Sequence, residues 1–279
     1  MVDPIELLRL YDEQVRGAED QGLPAHAVVE RDGPVLRVTG LHRGFVSTGR
    51  DVGVRGAELD ELIERQQAVF AARGEAVEWK TRAHDQPDDL TDRLLAAGFV
   101  PEDRETVVVA SVDDLGTATA ARPPAGVRLR TTQDPQDMRR IGVMETKVWG
   151  DDRGWLGEEL VATVAAEPRL THVFVAEAEQ GGAGADAGEV VSAGWVTLTP
   201  GTEFAGLWGG STLAGWRGRG IYRALVAARA RLAREHGVRY LQVDASDDSR
   251  PILERLGFVA ITTTTPYVWT PPAAAAPQG

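Results

Sequence analysis

Apolar positions in the second half of the chain follow two kinds of spacing. Runs rich in valine and threonine read as strands, and between them lie segments whose apolar residues recur every three or four positions, as on one helix face. Strands are predicted at 126–132, 171–178, 189–199, 203–212, 238–246 and 258–269. Helices are predicted at 135–149, 155–167, 220–236 and 249–257. This order predicts an α/β (α+β) domain with a mixed, mostly antiparallel sheet flanked by helices.

The first 110 residues repeat the end of that order. A helix, a strand, a short helix and a final strand follow one another over residues 57–110. In both halves a Gly-Phe pair, Gly98-Phe99 or Gly257-Phe258, comes directly after the short helix and before the final strand. A duplicated domain accounts for this repeat, and chance similarity between two α/β halves is the alternative.

Composition marks the borders of the two predicted domains. Small residues, threonines and a Pro-Pro pair between two apolar segments are typical of a linker, and the closing "PPAAAAPQG" is typical of a disordered tail. We therefore predict a first domain at 1–110, a linker at 111–125, a second domain at 126–270 and a tail at 271–279.

Charge and residue usage narrow the class of protein. The net charge of -12 and the pI near 4.9 argue against a nucleic-acid partner, because lysine and arginine supply affinity for phosphate backbones. The sequence has no cysteine, which excludes disulfides and a thiol nucleophile, and its five scattered histidines suggest no metal site. Without a run of 18 apolar residues or a secretory signal, we expect a cytoplasmic protein that does not enter a membrane.

One stretch of the second domain indicates a ligand. "GWRGRGIYRAL", residues 215–225, holds three glycines and three arginines and leads into the predicted helix at 220–236. Glycine allows a tight bend, arginine suits phosphate oxygens, and the first N–H groups of a helix point at an anion. The stretch predicts a site for a phosphate-bearing ligand, and a solvated surface loop is the alternative.

Two familiar nucleotide sites fit this stretch poorly. A dinucleotide fold needs Gly-x-Gly-x-x-Gly, but Arg223 replaces the third glycine. Asp244 could supply the acidic residue of that fold, yet too little chain follows it for a second mononucleotide half. A Walker-type site needs Gly-Lys-Ser/Thr after the glycines, which the sequence lacks.

The glycine-arginine turn, placed after a strand and followed about 40 residues later by "LERLGF", resembles the GCN5-related N-acetyltransferase (GNAT) family. Arg217 and Gly220 match the family's pattern, and Tyr222 departs from its final small residue. The resemblance implies that this turn binds the pyrophosphate of acetyl-CoA and that the preceding strand, splayed from its neighbour, pairs with the pantetheine arm. The implied cofactor-binding residues are Ser211, Thr212, Leu213, Arg217, Gly218, Arg219, Gly220, Ile221, Tyr222 and Arg223.

The first domain lacks an equivalent turn. Arg50 and Gly53 have the right separation, but Arg55 stands where a small residue belongs, and acidic residues follow. Carboxylates near a pyrophosphate would repel it. We therefore interpret the chain as a tandem protein with a degenerate N-terminal copy and a working C-terminal copy.

The resemblance implies direct acetyl transfer from acetyl-CoA to a primary amine of a small molecule or peptide. A carboxylate commonly serves as the base, for which Glu203 is the first candidate and Glu145 the second. Leu253 stands where many members have the tyrosine that protonates the leaving thiolate, so the acid is Tyr222, Tyr267 or water. Trp149 and Trp155, in the connection between the first two helices, are candidates for binding the substrate.

Two further questions stay open at this point. The missing tyrosine leaves a non-catalytic protein that binds acyl-CoA or a partner as the alternative function. Ser246, where the family often has asparagine, is a third departure. Monomer and homodimer are equally compatible with the sequence.

Overall fold

The computed structural model describes residues 3–16, 18–115, 122–181 and 183–272. Residues 116–121 of the predicted linker and 273–279 of the predicted tail lie outside the described residues. The chain divides into two compact units. We call them the N-terminal unit and the C-terminal unit, after the part of the chain that supplies most of each.

Seven helices and twelve strands occur in the described part of the chain. The helices are α1 Pro4–Gln14, α2 Ala57–Arg73, α3 Leu90–Ala96, α4 Pro135–Trp149, α5 Gly154–Ala166, α6 Ile221–Glu235 and α7 Arg250–Leu256. The strands are β1 Val28–Asp32, β2 Val35–Thr39, β3 Gly44–Thr48, β4 Val77–Arg82, β5 Val100–Pro101, β6 Glu105–Ser111, β7 Val127–Thr132, β8 Thr171–Ala178, β9 Val190–Leu198, β10 Phe204–Thr212, β11 Tyr240–Ala245 and β12 Val259–Trp269. None of these helices is long and apolar enough to cross a membrane.

The C-terminal unit contains the described part of Val108–Ile261 together with the short segments 3–7 and Gln21–Ala25. Its strands lie in the order β6-β11-β10-β9-β8-β7. Neighbouring strands from β7 to β10 are antiparallel, whereas β10 and β11 are parallel and are joined by α6. Helices α4 and α6 pack against the middle of this sheet, so the glycine-arginine turn lies between its central strands and α6.

The N-terminal unit contains Leu8–Asp20, His26–Val107 and residues 262–272. Its strands lie in the order β1-β2-β3-β4-β12, and β5 also pairs with β12. Here too one parallel pair, β3 and β4, is joined by a helix, α2. The pairs β1–β2, β2–β3, β4–β12 and β5–β12 are antiparallel. The predicted class is confirmed, because each unit is a mixed, mostly antiparallel sheet with helices.

The two units exchange strands relative to the single border that the sequence suggests near 111–125. Residues 262–269 of β12 belong to the N-terminal unit, and residues 108–111 of β6 belong to the C-terminal unit. Tyr267 therefore pairs with Trp79 of β4 and packs in the core of the N-terminal unit. Descent of the two units from one duplicated domain stays a prediction.

Local signals explain why α4 starts and ends where it does. The Asp134 side chain accepts a hydrogen bond from the backbone N–H of Gln136 at 2.9 Å, and Pro135 occupies the first turn. Gly150 ends the helix at φ 84°. The buried face carries Met138, Ile141 and, unusually, an acidic residue that is described below.

Candidate active site

The glycine-arginine turn forms as the glycines require. After β10 the chain makes a short 3-10 turn at Ala214–Trp216, and Gly218 and Gly220 then adopt φ of 72° and 87°. That left-handed region is unfavourable for residues with a side chain. The Arg219 guanidinium lies 4.7 Å from the ring centre of buried Trp216, which holds the turn against the core.

The turn leaves the start of α6 suited to an anion. Gly220 provides no side-chain cap, and the first turn of α6 has no acidic residue. The first N–H groups of a helix have no partner within the helix and carry partial positive charge. Arg217, Arg219 and Arg223 are exposed around this start, and Arg217 Nε also donates to the carbonyl of Thr212 at 3.0 Å.

The corresponding helix of the N-terminal unit, α2, starts in the opposite electrostatic setting. Its first turn contains Glu58 and Asp60. Arg93 donates to the carbonyl of Gly56 at 3.1 Å and to the Asp60 carboxylate at 2.8 Å. The groups around this helix start are thus paired within the chain, and its carboxylates would repel an anion.

In the loop before α2, side chains of the loop itself bind the backbone and charged groups that an anion would otherwise contact. Asp51 accepts a 2.7 Å hydrogen bond from the backbone N–H of Gly53 and pairs with Arg55 at 2.9 Å. The hydrogen bond from Arg55, followed by that from Gly53, lowers the pKa of Asp51. A carboxylate of the chain therefore takes the position that an anion would need.

Strands β10 and β11 separate as the resemblance implies. They pair over three residues, Phe204 to Gly206, although β10 continues to Thr212 and β11 to Ala245. Beyond Gly206 the backbone of β10 no longer pairs with β11. Ser211, Thr212 and Leu213 lie on this separated part and run directly into the turn.

In the N-terminal unit the segments that follow the equivalent parallel strands are again joined by backbone hydrogen bonds. Strands β3 and β4 also pair over three residues, but farther on the backbone N–H of Val52 donates to Gln86 and that of Gln86 to Arg50, both at 2.8 Å. Arg16, which is buried, donates to the carbonyls of Thr48 at 3.3 Å and Gly49 at 3.1 Å. The chain itself thus occupies the backbone groups that a pantetheine arm would use.

A β-bulge lies in β10 just before the separated part. The register with β9 shifts between Gly209 and Thr212, and Gly209 and Gly210 have φ of 66° and 103°. A Cβ atom on Gly210 would lie 2.6 Å from Cε2 of Tyr222, so only glycine permits this contact. The Tyr222 phenol is therefore held at the bulge from the α6 side.

A buried arginine supports the bulge from the same side. Arg229 of α6 donates to the carbonyls of Trp208 at 2.9 Å and Trp195 at 3.3 Å. Burial lowers the pKa of Arg229 to about 10, which leaves it protonated at neutral pH. Arg229 is not among the site residues expected from the sequence, although its position four residues after Leu225, on the apolar face of the helix, was a signal.

Glu145 is the acidic residue on the buried face of α4, and it is only 3% exposed. Its Oε2 accepts hydrogen bonds from Trp149 Nε1 at 2.7 Å and from Ser211 Oγ at 2.9 Å. Its Oε1 is buried and has no hydrogen-bond partner among the described residues. Burial raises the pKa of Glu145, although the bonds from Ser211 and Trp149 act against the rise.

The structure brings together most of the residues that the sequence analysis selected. Glu145, Trp149 and Ser211 are in direct contact, and Trp149 Nε1 also lies 3.3 Å from Ser211 Oγ. Tyr222 lies at the adjacent bulge, and the turn follows within the same segment. The exposed ring of Trp149 is covered on one face by the Arg153 guanidinium at 4.7 Å.

Three selected residues lie elsewhere. Glu203 precedes β10 at the end opposite the turn, and its carboxylate pairs with Arg239 at 2.9 Å. Tyr267 belongs to the core of the N-terminal unit rather than to the unit that carries the turn. Trp155 is partly buried in the first turn of α5.

Two of the three positions that depart from the family's pattern, Leu253 and Ser246, have structural roles. Leu253 is fully buried in the core of the C-terminal unit. The Ser246 carbonyl accepts from the backbone N–H groups of Ser249 and Arg250, at the start of α7. Leu253 has no group that could donate a proton, and the Ser246 hydroxyl lies 3.2 Å from that of Ser249. Among the described residues, no group of three or more acidic or histidine side chains is placed to hold a metal ion.

Comparison with known proteins agrees with this geometry. Residues 137–258, which run from α4 to the residue before β12, match the acetyltransferase (GNAT) family. This segment of the C-terminal unit is therefore similar to the GNAT family. A search of curated proteins gives no match.

Solved structures share the fold over most of the chain. A GCN5-related N-acetyltransferase from Kribbella flavida is 17% identical with a TM-score of 0.68, and the match covers 93% of this chain and 95% of that one. A tandem GNAT protein from the clavulanic acid biosynthesis pathway is 15% identical with a TM-score of 0.60, covering 90% and 85%. A conserved protein from Staphylococcus epidermidis is 12% identical with a TM-score of 0.64, covering 93% and 98%. At such identities these likenesses concern the fold alone.

Proposed function

We propose that the C-terminal unit transfers an acetyl group from acetyl-CoA to a primary amine. The observation that carries the proposal is the contact between Glu145 and Ser211. It puts a buried carboxylate with one unpartnered oxygen beside a separated strand that leads into an acid-free helix start. One end of this arrangement suits a pyrophosphate, and the other suits an amine that must lose a proton.

Acetyl-CoA binds in this proposal along the segment from Ser211 to Arg223. The pyrophosphate meets the N–H groups at the start of α6 and the exposed arginines around it. The pantetheine arm lies along Ser211–Leu213, where β10 has left β11. The thioester then lies near the bulge, with Glu145 on one side of the sheet and Tyr222 on the other.

Glu145 acts as the general base. The attacking amine has to be neutral, and its proton passes to Oε1, the oxygen that lacks a partner. The raised pKa brings Glu145 closer to the pKa that serves a base at neutral pH. Glu203 is too far from the bulge for this role, because eight residues of strand separate it from Ser211 at about 3.3 Å each.

The transfer is direct in this proposal, because no covalent intermediate is needed; the sequence also has no cysteine that could form a thioester intermediate. The amine nitrogen attacks the thioester carbonyl, a C–N bond forms, and the C–S bond then breaks. Tyr222, which lies against Gly210 at the bulge, is the proposed proton donor to the leaving thiolate, and burial raises the pKa of its phenol, which keeps it protonated at neutral pH. Water is the other proton source, as a thiol with a pKa near 8.5 is a moderate leaving group.

A second function has one observation in its favour. Leu253 fills the core at the position where many GNAT proteins have their acid, so binding of acyl-CoA without transfer fits the same turn. Both functions require acyl-CoA at the C-terminal unit and differ only in the chemistry.

The closed strand pair and acidic helix start of the N-terminal unit predict one acetyl-CoA per chain. Isothermal titration of the full chain should give a stoichiometry of one. Arg217→Glu should abolish the measured heat, whereas Arg50→Glu, at the matching position of the N-terminal unit, should bind as the wild type does. Two equivalent sites, or a loss caused by Arg50→Glu alone, would be inconsistent with the proposal.

A further inference from the structure

A second buried oxygen lacks a partner in the C-terminal unit. Gln242 of β11 is nine-tenths buried, and its Oε1 has no hydrogen-bond partner among the described residues. Buried acceptors are normally satisfied, because leaving one without a donor is unfavourable. Gln242 and Glu145 are thus two buried acceptors in one unit that each lack a donor at one oxygen.

Both oxygens belong to the same face of the sheet. Gln242 pairs with Gly206, and Nε2 of Gln242 and Nε1 of Trp208 both lie over Gly206, at 3.2 and 2.9 Å from where its Cβ would be, so both side chains are on one face. Trp208 pairs with Trp195, while Arg229 of α6 approaches the neighbouring Gly194 from the other face. Because successive residues of a strand alternate, Trp208 and Gln242 lie on the face opposite α6.

Glu145 occupies that face too. It reaches Ser211 from α4, whereas the preceding Gly210 faces Tyr222 of α6. The bulge between Gly209 and Thr212 interrupts the alternation of side chains along β10, so that Ser211 faces α4. Gly206 and Ser211 are five residues apart along β10, at most about 16 Å at the usual strand rise.

The ring of Trp208, which lies on β10 between Gly206 and Ser211, offers a surface suited to a cation. Its side chain is 45% exposed, which is high for a tryptophan on a central strand. An indole ring attracts ammonium groups over its face. The net charge of -12 also favours cationic ligands over neutral or anionic ones.

We infer that the acceptor is an aliphatic diamine or polyamine, whose reacting amine lies at Glu145 while a second, protonated amine binds Gln242 Oε1 and the ring of Trp208. This inference rests on the proposed function for the identity of the reacting amine. The reacting nitrogen must be neutral, but the second one stays charged and supplies the donors that the buried amide lacks. An acceptor with a single amine satisfies only one of the two oxygens.

The test measures binding of amines to the protein saturated with coenzyme A. Putrescine, cadaverine and spermidine are compared by calorimetry with butylamine, which has one amine. At least one of the first three should bind about tenfold more tightly than butylamine, as expected for a hydrogen bond to a charged group. Equal affinities for all four, or no binding by any of them, would overturn the inference.

Variants identify the residues responsible. Gln242→Met keeps the side-chain length without the oxygen and should reduce the preference for the diamine to threefold or less, and Trp208→Leu should do the same. Gln136→Met, an exposed change on α4, is the matched control and should retain the preference. Unchanged coenzyme A affinity reports an intact fold. A preference that survives both Gln242→Met and Trp208→Leu would contradict the assignment.

This test separates the inference from the proposed function. If butylamine is acetylated as readily as the diamines, transfer stands and the inference fails. If a diamine binds selectively through Gln242 but no amine is acetylated, the binding site stands and the proposed function fails.

Discussion

Replacing Glu145 by glutamine should lower the rate of acetyl transfer by about 10²- to 10⁴-fold at neutral pH, the usual contribution of a general base. Glutamine keeps an oxygen for the bonds from Trp149 and Ser211 but cannot accept the proton of the amine. Acetyl-CoA affinity should stay unchanged, because glutamine keeps the bond to Ser211 and the glycine-arginine turn does not involve this side chain. Steady-state rates and calorimetry on the same preparation measure both quantities.

The same variant should not be less stable than the wild type at neutral pH. Burial raises the pKa of Glu145, so the folded state binds its proton more tightly than the unfolded state does. The free energy of unfolding therefore falls as pH rises from the usual carboxyl range through the raised pKa. Glu145→Gln removes this pH-dependent loss. Urea unfolding at several pH values should show that the free energies of unfolding of the variant and the wild type differ at neutral pH and converge at low pH.

Glu203→Gln is the matched control for the base. Its carboxylate pairs with Arg239 at the opposite end of β10, and its removal should leave the transfer rate within about twofold, as for a surface ion pair of little energetic weight. A rate loss in Glu203→Gln but not in Glu145→Gln would reverse the assignment of the base.

Gly220→Val is the second change with a large expected effect. Gly220 has φ of 87°, which costs a β-branched residue about 1–3 kcal/mol, and the helix start is expected to shift to relieve that strain. Such a shift misdirects the N–H groups that the pyrophosphate needs. Acetyl-CoA should bind about 10- to 100-fold more weakly, as measured by calorimetry.

Gly237→Val separates strain from ligand binding. Gly237 follows α6 at its other end with φ of 75°, and a Cβ there meets no atom within 4 Å. Its valine variant should lose a similar free energy of unfolding while binding acetyl-CoA as the wild type does. Equal losses of affinity in both variants would mean that the effect comes from α6 as a whole rather than from the turn.

Elements with a strong local pattern could be predicted from the sequence. The helix Pro135–Trp149 and the strand Thr171–Ala178 have the predicted bounds, because a capping aspartate, a proline and a run of β-branched residues are local signals. The bend at the glycine-arginine turn was predictable as well, because closely spaced glycines are a local signal. The fold class followed from the order of these elements, and the resemblance to the GNAT family rested on that turn.

Strand partners could not be predicted in this way. The last strand reads as the end of the second domain, but residues 262–269 pair within the N-terminal unit. Spacing within a strand shows which face is buried and not which strand lies beside it. Tyr267 was proposed as an acid on the assumption that the last strand lies in the same unit as the turn, whereas Tyr267 pairs with Trp79 of the N-terminal unit.

The positions of the two glutamates relative to the turn could not be predicted for a related reason. Glu203 was preferred for its nearness in sequence to the turn, yet β10 carries it away from the turn by the length of the strand. Glu145 follows Ile141 by one helical turn on the apolar face of α4, which was a usable signal of burial. What the sequence lacked was the contact with Ser211, 66 residues away.

Formation of the product tests the central proposal most directly. The full chain is incubated with acetyl-CoA labelled in its acetyl group and with butylamine, putrescine, cadaverine and spermidine in turn, and released thiol and labelled N-acetylamine are quantified together. We expect the two products in equal amounts with at least one amine, and a rate that falls about 10²- to 10⁴-fold in Glu145→Gln. Binding of one acetyl-CoA per chain without labelled amide from any of these amines would contradict the account.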